Sequence, residues 1–88
     1  MHYIIDGRLM VDKVSAHTYL KETLSFPEYY GNNLDALYDV LTERHSPVLI
    51  TIEHTDELKI LLSEYGAALL ETFSDAAENN PNLTVIFA

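Results

Sequence analysis

The 88-residue chain contains no cysteine, so neither a disulfide nor thiol chemistry is available to it. Basic residues are scarce, because five lysines and arginines stand against fourteen acids and leave a net charge of −9. Binding to nucleic acid or to an anionic membrane needs clustered Lys and Arg, so both are disfavoured. A basic protein partner fits the charge, since a field of one sign speeds encounter with the opposite sign. Acidity that serves only solubility explains the charge equally well.

Long apolar runs are also missing. No stretch approaches the roughly 20 residues of a membrane span. The first ten residues, MHYIIDGRLM, lack the basic region and long apolar segment of a signal peptide. The lack of cysteine is consistent with a reducing compartment, so the sequence predicts a soluble, cytoplasmic protein. No repeat, low-complexity segment or linker divides the chain, and we expect a single domain over residues 1–88.

Motifs of catalysis are absent as well: there is no GxSxG, no Gly-rich phosphate loop, no HExxH and no plausible Ser/His/Asp set. His17 is expected to be a partly buried packing residue, and the other histidines show no ligand spacing. Asp35 and Asp39 could both reach one cation, but they would leave most of its oxygen shell to water. We therefore expect no enzyme, no cofactor and no metal site. A small carboxylate- or metal-dependent hydrolase is a third alternative, behind the two given below.

Hydrophobic patterns predict three strands: His2–Asp6, Val48–Glu53 and Leu83–Phe87. The run of the second strand is nearly continuous, which suggests burial on both faces. Four helices are expected between the strands: about Lys13–Ser25, Leu34–Arg44, Thr55–Ser63 and Gly66–Asn79. Because at least one helix separates each strand from the next, parallel pairing is expected. The predicted class is α/β, a small three-stranded parallel sheet with helices packed against it.

The second predicted helix is the most unusual segment. At about 100° per residue, one side is apolar and should face the core: Leu34, Leu37 and Leu41. A neighbouring arc carries acids at successive spacings of four: Asp35, Asp39 and Glu43. Like charges at this spacing destabilise a helix by roughly 0.2–0.5 kcal/mol per pair. Such a cost is typical of a functional surface, although a solvated face that tolerates the cost is an equal alternative.

The loop before this helix carries two adjacent tyrosines that cannot both be buried easily. We expect Tyr30 to be a core anchor, whereas Tyr29 fits burial and an interface role equally well. Gly31 is expected to supply either a positive-φ turn or a close backbone approach. Asn32 or Asn33 can cap the helix, because an Asn side chain accepts hydrogen bonds from the free amides of the first turn.

Residues 26–42, FPEYYGNNLDALYDVLT, closely resemble the PEYYGxNLDALWDxLT segment of the barstar family. The family comprises intracellular inhibitors of ribonucleases such as barnase. The resemblance covers nearly the whole chain, from the strand that ends in Asp6-Gly7 to the closing TVIF strand. It implies a barstar-like fold, and a second helix and preceding loop that occlude the active site of a basic ribonuclease. Acidic side chains would take the place of RNA phosphates, in an immunity or antitoxin role.

The resemblance also implies which residues bind the partner. Asp39 would be the central phosphate mimic and would meet Arg, Lys and a catalytic His of the nuclease. Asp35 would contact a second basic group, and Tyr29 would pack against the catalytic histidine. Further contacts would come from residues in the loop, on the helix and on the last helix: Gly31, Asn33, Tyr38, Thr42 and Asp75.

Four positions in and just after this segment depart from the family. Tyr38 and Arg44 stand where the family has tryptophans, Glu43 replaces a glycine, and Val40 replaces a cysteine. Glu43 adds bulk and charge, and Arg44 would repel a basic nuclease, so the expected target is a ribonuclease other than barnase. The same residues favour an alternative, a barstar-like interaction or regulatory module whose partner is not a ribonuclease. In either case we expect a monomer on its own.

The family has a cis proline before its second strand, and Ser46-Pro47 alone does not decide the isomer here.

Overall fold

Three parallel strands form the centre of the computed structural model, which describes all residues, 1–88. The strands have the predicted bounds: β1 (His2–Asp6), β2 (Val48–Glu53) and β3 (Leu83–Phe87). They form one sheet in the order β1-β2-β3, and both pairings are parallel. The predicted α/β class and the three-stranded parallel sheet are therefore confirmed.

Four α-helices connect the strands: α1 (Lys13–Leu24), α2 (Leu34–Thr42), α3 (Thr55–Leu62) and α4 (Glu64–Asn79). A 3₁₀ turn that the sequence did not predict follows β1 at Gly7–Leu9. None of the helices has the length and apolar composition to cross a membrane. The chain has no cis peptide bond, so Ser46-Pro47 is trans.

Two helix ends differ from prediction. α2 stops at Thr42, two residues before Arg44, where the side-chain amide of Asn80 donates to the carbonyls of Leu41 and Arg44. A side chain that binds the last carbonyls of a helix satisfies groups without an intrahelical partner. α4 begins at Glu64, before Gly66. Gly66 does not break the helix, because its missing side chain instead lets α3 approach: a Cβ there would lie 3.0 Å from the carbonyl oxygen of Leu58.

The core lies between the helices and one face of the sheet. β2 alternates, with Val48, Ile50 and Ile52 buried and the residues between them half-buried. Burial on both faces, expected from its apolar run, is thus wrong for this strand. On the outer face Thr51 pairs with Ile4 and Ile86, which are themselves 54% and 47% exposed. Flanking strands alone shield that face, and it is open to solvent at both edges.

Gly7 ends β1 at a point where the chain passes close to the end of β2. A Cβ on Gly7 would lie 2.5 Å from the carbonyl oxygen of His54 and 2.9 Å from that of Glu53. Side-chain atoms do not approach backbone oxygens so closely, and the φ of Gly7 is not positive. Close packing of two strand ends, and not backbone freedom, therefore requires glycine here.

Candidate partner-binding surface

α2 has the two faces that its sequence predicts. Leu37 and Leu41 are fully buried, and Leu34 packs against the core from a half-buried position. Asp35 and Asp39 are exposed on the other side. The buried face packs against the core and α2 contacts α4. We call the exposed side with Asp35, Asp39 and Glu43 the acidic face.

The start of α2 is fixed by Asn33, one of the two predicted caps. Its Oδ1 accepts a hydrogen bond from the Ala36 amide at 2.7 Å, and its Nδ2 donates to the Gly31 carbonyl at 3.3 Å. This cap satisfies a free amide of the first turn. Asp35 lies in that same turn, where the helix dipole favours a negative charge.

The positive φ expected at Gly31 is found one residue later. Asn32 has a φ of 56°, and no glycine of the chain has a positive φ. Asparagine tolerates this left-handed region better than most residues, because its short polar side chain bonds locally. The alternative expectation for Gly31, a close approach, is met, since a Cβ there would lie 3.3 Å from the Cβ of Ala36.

The adjacent tyrosines divide between the core and the solvent. Tyr30 is 5% exposed and packs against Phe26 with ring centroids 4.8 Å apart, which confirms it as a core anchor. Tyr29 is 82% exposed. An aromatic ring held in water beside a buried neighbour is typical of residues at protein interfaces.

Thr42 and Tyr38 lie where the acidic face meets the apolar one, and both are half-buried. The Thr42 hydroxyl points back into the helix, 2.9 Å from the Tyr38 carbonyl and 3.1 Å from that of Asp39. Its proton is therefore used within α2, and its oxygen keeps free acceptor capacity. A partner would meet Thr42 as an acceptor.

No lysine, arginine or histidine of the chain forms an ion pair with the acidic face. The ion pairs of the chain are Arg8–Asp6, Lys21–Glu28, His54–Glu57 and Lys59–Asp56. None of them involves Asp35, Asp39, Glu43 or Asp75. A partner's cation could therefore pair with these carboxylates without breaking an existing ion pair.

Arg44 does not share the surroundings of the acidic face. Its guanidinium donates to the Leu24 carbonyl at the end of α1 and lies 5.8 Å from the Phe26 ring centroid. The residue is half-buried. The chain itself holds this charge, so Arg44 is less able to repel a basic partner than its sequence position suggested.

The eight residues expected to bind a partner lie on three neighbouring elements. Three belong to the loop: Tyr29, Gly31 and Asn33. Four belong to α2: Asp35, Tyr38, Asp39 and Thr42. Asp75 is exposed on α4, which packs against α2, although no side-chain hydrogen bond joins Asp75 to that helix. All eight have accessible surface, and no group of three or more His, Asp or Glu side chains is arranged to hold a metal ion.

The sequence missed a hydrogen-bonded bridge behind this surface. His17, expected to be partly buried, is 1% exposed. Its Nδ1 lies 2.7 Å from the Tyr30 hydroxyl and its Nε2 lies 2.6 Å from the Tyr65 hydroxyl. Burial lowers the pKa of His17 and raises the pKa of both tyrosines. The available signal was that His17 lies three positions before Leu20 and seven before Leu24, on the apolar side of α1. A buried imidazole there needs hydrogen-bond partners.

Comparison with known proteins finds one matching family and a similar protein. A family model described as "Barstar (barnase inhibitor)" matches residues 1–88. A relative from Bacillus subtilis (strain 168), named "Putative ribonuclease inhibitor YrdF", is 38% identical over 76 residues. The matched region covers 85% of this chain and 84% of that relative.

Proposed function

The chain belongs to the barstar family, and from that membership we propose that it is an intracellular inhibitor that binds and occludes the active site of a basic ribonuclease. The family description, a barnase inhibitor, makes a ribonuclease the general class of partner. The relative from Bacillus subtilis is itself named as a ribonuclease inhibitor. An immunity or antitoxin role in the cytoplasm, against a nuclease other than barnase, follows as part of the same proposal.

The observation that carries the proposal is the set of unpaired acids on a fixed helix. A ribonuclease site must be basic, because it holds the phosphates of RNA. The carboxylates of Asp35 and Asp39 are exposed and free of internal ion pairs, and the Asn33 cap and the buried leucines fix the helix below them. Groups that are already in place lose little entropy on binding.

In the proposed complex, Asp39 takes the place of a substrate phosphate at the centre of the nuclease site, and Asp35 pairs with a second cation. Tyr29 packs against the catalytic histidine of the nuclease. Tyr38 and Thr42 line the rim, and Asp75 adds a carboxylate from α4. The side chain of Asn33 is engaged in its cap, so Asn33 and Gly31 contribute chiefly through their backbone.

Occlusion alone stops the nuclease, so the inhibitor needs no catalytic group, cofactor or metal. Charge speeds the encounter, and charge-assisted hydrogen bonds that become buried slow the release. The alternative function, an interaction module whose partner is not a ribonuclease, was suggested by Glu43 and Arg44. Because Arg44 binds Leu24 and Phe26 of its own chain, only Glu43 still favours that alternative.

Affinity capture from the source organism tests the proposal. The tagged wild-type protein should recover a protein fraction whose ribonuclease activity appears only after the complex is dissociated. The double variant Asp35→Asn/Asp39→Asn should recover at least about tenfold less of that activity, since each lost charge pair is worth more than 1.4 kcal/mol.

The matched control is Asp56→Asn/Glu57→Gln, which removes the same two charges from exposed positions on α3. We expect this variant to recover as much ribonuclease as the wild type. Capture of a protein without ribonuclease activity would replace the proposal by the alternative module. An equal loss in the control would show that net charge, and not the acidic face, is responsible.

Salt should act mainly on the association rate. Between about 0.01 M and about 1 M ionic strength the Debye length falls from about 30 Å to about 3 Å. Electrostatic steering raises association rates from about 10⁵–10⁶ to as much as about 10⁸–10⁹ M⁻¹s⁻¹. We therefore expect the association rate with the captured ribonuclease to fall at least about tenfold over this range in stopped-flow measurements.

The Asp35→Asn/Asp39→Asn variant should show a flatter dependence of the association rate on salt than the wild type. The dissociation rate of the wild-type complex should change much less than its association rate, because buried charge pairs are screened weakly. A salt dependence that lies wholly in the dissociation rate would contradict steering by the acidic face.

A further inference from the structure

Lys13 differs from the other lysines and arginines of the chain, because neither a carboxylate nor a carbonyl binds its charge. Arg8, Lys21 and Lys59 each pair with an acid, and the guanidinium of Arg44 donates to a backbone carbonyl. Lys13 is exposed at the start of α1, and no ion pair includes it. Its charge is therefore available to an anion from another molecule.

An aromatic ring orients this ammonium group. The Nζ of Lys13 lies 4.6 Å from the centroid of the Tyr65 ring, at the start of α4. Tyr65 is half-buried, and its hydroxyl lies 2.6 Å from Nε2 of the buried His17. Because a cation over an aromatic face is attracted to it, Lys13 is less mobile than an ordinary surface lysine. A side chain that is already oriented loses less entropy when it binds.

Lys13 and Tyr65 line a cleft of about 170 Å³ beside the loop that precedes α2. The other lining residues are Val14 and Thr18 of α1 and Asn32 of the loop. All three are exposed, and the side-chain hydrogen bonds of α1 and the loop include neither Asn32 nor Thr18. The cleft thus carries an ammonium, an amide and a hydroxyl donor next to one aliphatic side chain.

The size and the chemistry of the cleft fit one acidic side chain. Sites for small-molecule ligands usually have about 300–1,000 Å³, so this cleft is too small for most of them. Its donors suit a carboxylate, since hydrogen bonds between charged groups are the strong ones. Val14 is 77% exposed and offers apolar surface to the methylene groups of such a side chain. The neighbouring Asp12 does not compete, because its Oδ1 already accepts from the Ser15 amide at 2.8 Å.

We propose that this cleft binds a glutamate or aspartate side chain that lies beside the basic site of the ribonuclease partner, and that Lys13 makes the inhibitor selective among basic ribonucleases. The identity of the partner rests on the proposed function. Asn32 lies between Gly31 and Asn33, two of the expected contact residues. The cleft therefore continues the candidate partner-binding surface from the loop onto α1 and α4, which carry no expected contact residue other than Asp75.

The sign of the Lys13 charge is what makes selectivity possible. The exposed acids of α2 attract a basic site of any nuclease. A cation at the margin of the same surface favours a nuclease that has an acid at the matching place and disfavours one that has a lysine or arginine there. Like charges that meet across an interface cost affinity, and a repulsive element of this kind is a common source of specificity.

Charge reversal at Lys13 tests the proposal, because a local acid and the net charge predict opposite results. Lys13→Glu makes the net charge of −9 more negative, which by itself would speed association with a basic ribonuclease. If the cleft meets an acid, the variant should instead bind the captured ribonuclease at least about tenfold more weakly in calorimetric titration. A glutamate in the first turn of α1 suits the helix dipole, so the variant should fold, which urea unfolding checks.

The matched control is Lys59→Glu, which makes the same change of charge on α3, a helix without expected contact residues. It should bind as tightly as the wild type or more tightly. Exchange of the matching acid of the ribonuclease for lysine should restore binding to Lys13→Glu, and the double-mutant cycle isolates this pair. Binding by Lys13→Glu that equals or exceeds that of the wild type would overturn the proposal.

The Asp35→Asn/Asp39→Asn variant, measured against the same ribonuclease, separates this proposal from the proposed function. Weaker binding in both variants supports both proposals. Weaker binding in Asp35→Asn/Asp39→Asn alone overturns only the role of the cleft. Weaker binding in Lys13→Glu alone supports the cleft and contradicts the acidic face as the centre of recognition.

Discussion

Asp39→Ala is expected to weaken binding of the ribonuclease partner by about 2–5 kcal/mol, which is a loss of roughly thirtyfold to several-thousandfold in affinity. Truncation of one member of a buried, hydrogen-bonded charge pair leaves the partner's cations without a counter-charge. The complex of barnase with barstar is itself among the systems in which such pairs have been measured, so the size of the effect is carried over from the family.

The free energy of unfolding should change little in Asp39→Ala. Asp39 is exposed and forms no ion pair, and surface substitutions of this kind stay within about 0.5 kcal/mol. A small gain in stability is expected, because alanine is the better helix former and two like-charge neighbours at spacing four are relieved. Calorimetric titration and urea unfolding measure the two quantities separately.

Two further variants locate the effect. Asp39→Asn keeps the shape and removes the charge, so it should lose most of the affinity that Asp39→Ala loses. Asp56→Asn removes an exposed charge from α3, where the side chain is 91% accessible, and should bind as tightly as the wild type. Unchanged affinity in Asp39→Ala, or equal losses of affinity and stability, would contradict the role proposed for this residue.

Asn80→Asp should have the largest effect on folding. Asn80 is 4% exposed, and its Nδ2 donates to the carbonyls of Leu41 at 2.9 Å and Arg44 at 3.1 Å. Its Oδ1 accepts from the Asn82 amide at 3.0 Å. An aspartate of the same shape would place an anionic oxygen against two carbonyl oxygens. At neutral pH we expect a loss of about 3–5 kcal/mol in the free energy of unfolding, as for an uncompensated buried charge.

Acid should partly restore the Asn80→Asp variant relative to the wild type. The charge is unfavourable only in the folded state, so the pKa of the new carboxyl is raised on folding above the ordinary value of about 3.9. The deficit is therefore small below about pH 4 and grows as the pH rises to the folded-state pKa. Urea unfolding of both proteins at each pH measures the difference and removes effects that they share, such as that of His17.

Asn80→Ala is the control without charge. It leaves the Leu41 carbonyl without this donor and the Arg44 carbonyl with only the Asn82 side-chain amide at 3.4 Å, so it should be destabilised by about 1–3 kcal/mol at every pH. A deficit in Asn80→Asp that is independent of pH would show that the lost hydrogen bonds, and not the charge, account for it.

Periodicity predicted the elements of this fold well. The three strands have the bounds expected from their apolar runs, and the spacing of Leu34, Leu37 and Leu41 predicted the buried face of α2. Strand bounds and the buried face of a helix are local properties, because the spacing of apolar residues along one element determines which face is buried. The exposed position of Asp35 and Asp39 follows from the same spacing.

Features that depend on contacts between distant segments were not predictable. Asn80 directly follows α4 in the sequence, and nothing in its neighbourhood indicates that it is buried against the end of α2, 39 positions away from Leu41. The Tyr65 bridge to His17 and the tight contact of Gly66 with Leu58 are of the same kind. A positive φ was one of the two expectations for Gly31, because glycine adopts it most easily. In the structure Asn32 has the positive φ instead. The partner-binding roles expected of the eight residues come from the family resemblance and not from their spacing.

The nine residues of α2 place the contacts of the core and the exposed acids on opposite sides of one short helix. Its leucines are enclosed, whereas its acids touch nothing that the fold requires. Changes at sites without shared contacts tend to add independently in free energy. Under the proposed function, the exposed residues of α2 can therefore change to suit a different partner while the buried leucines stay the same.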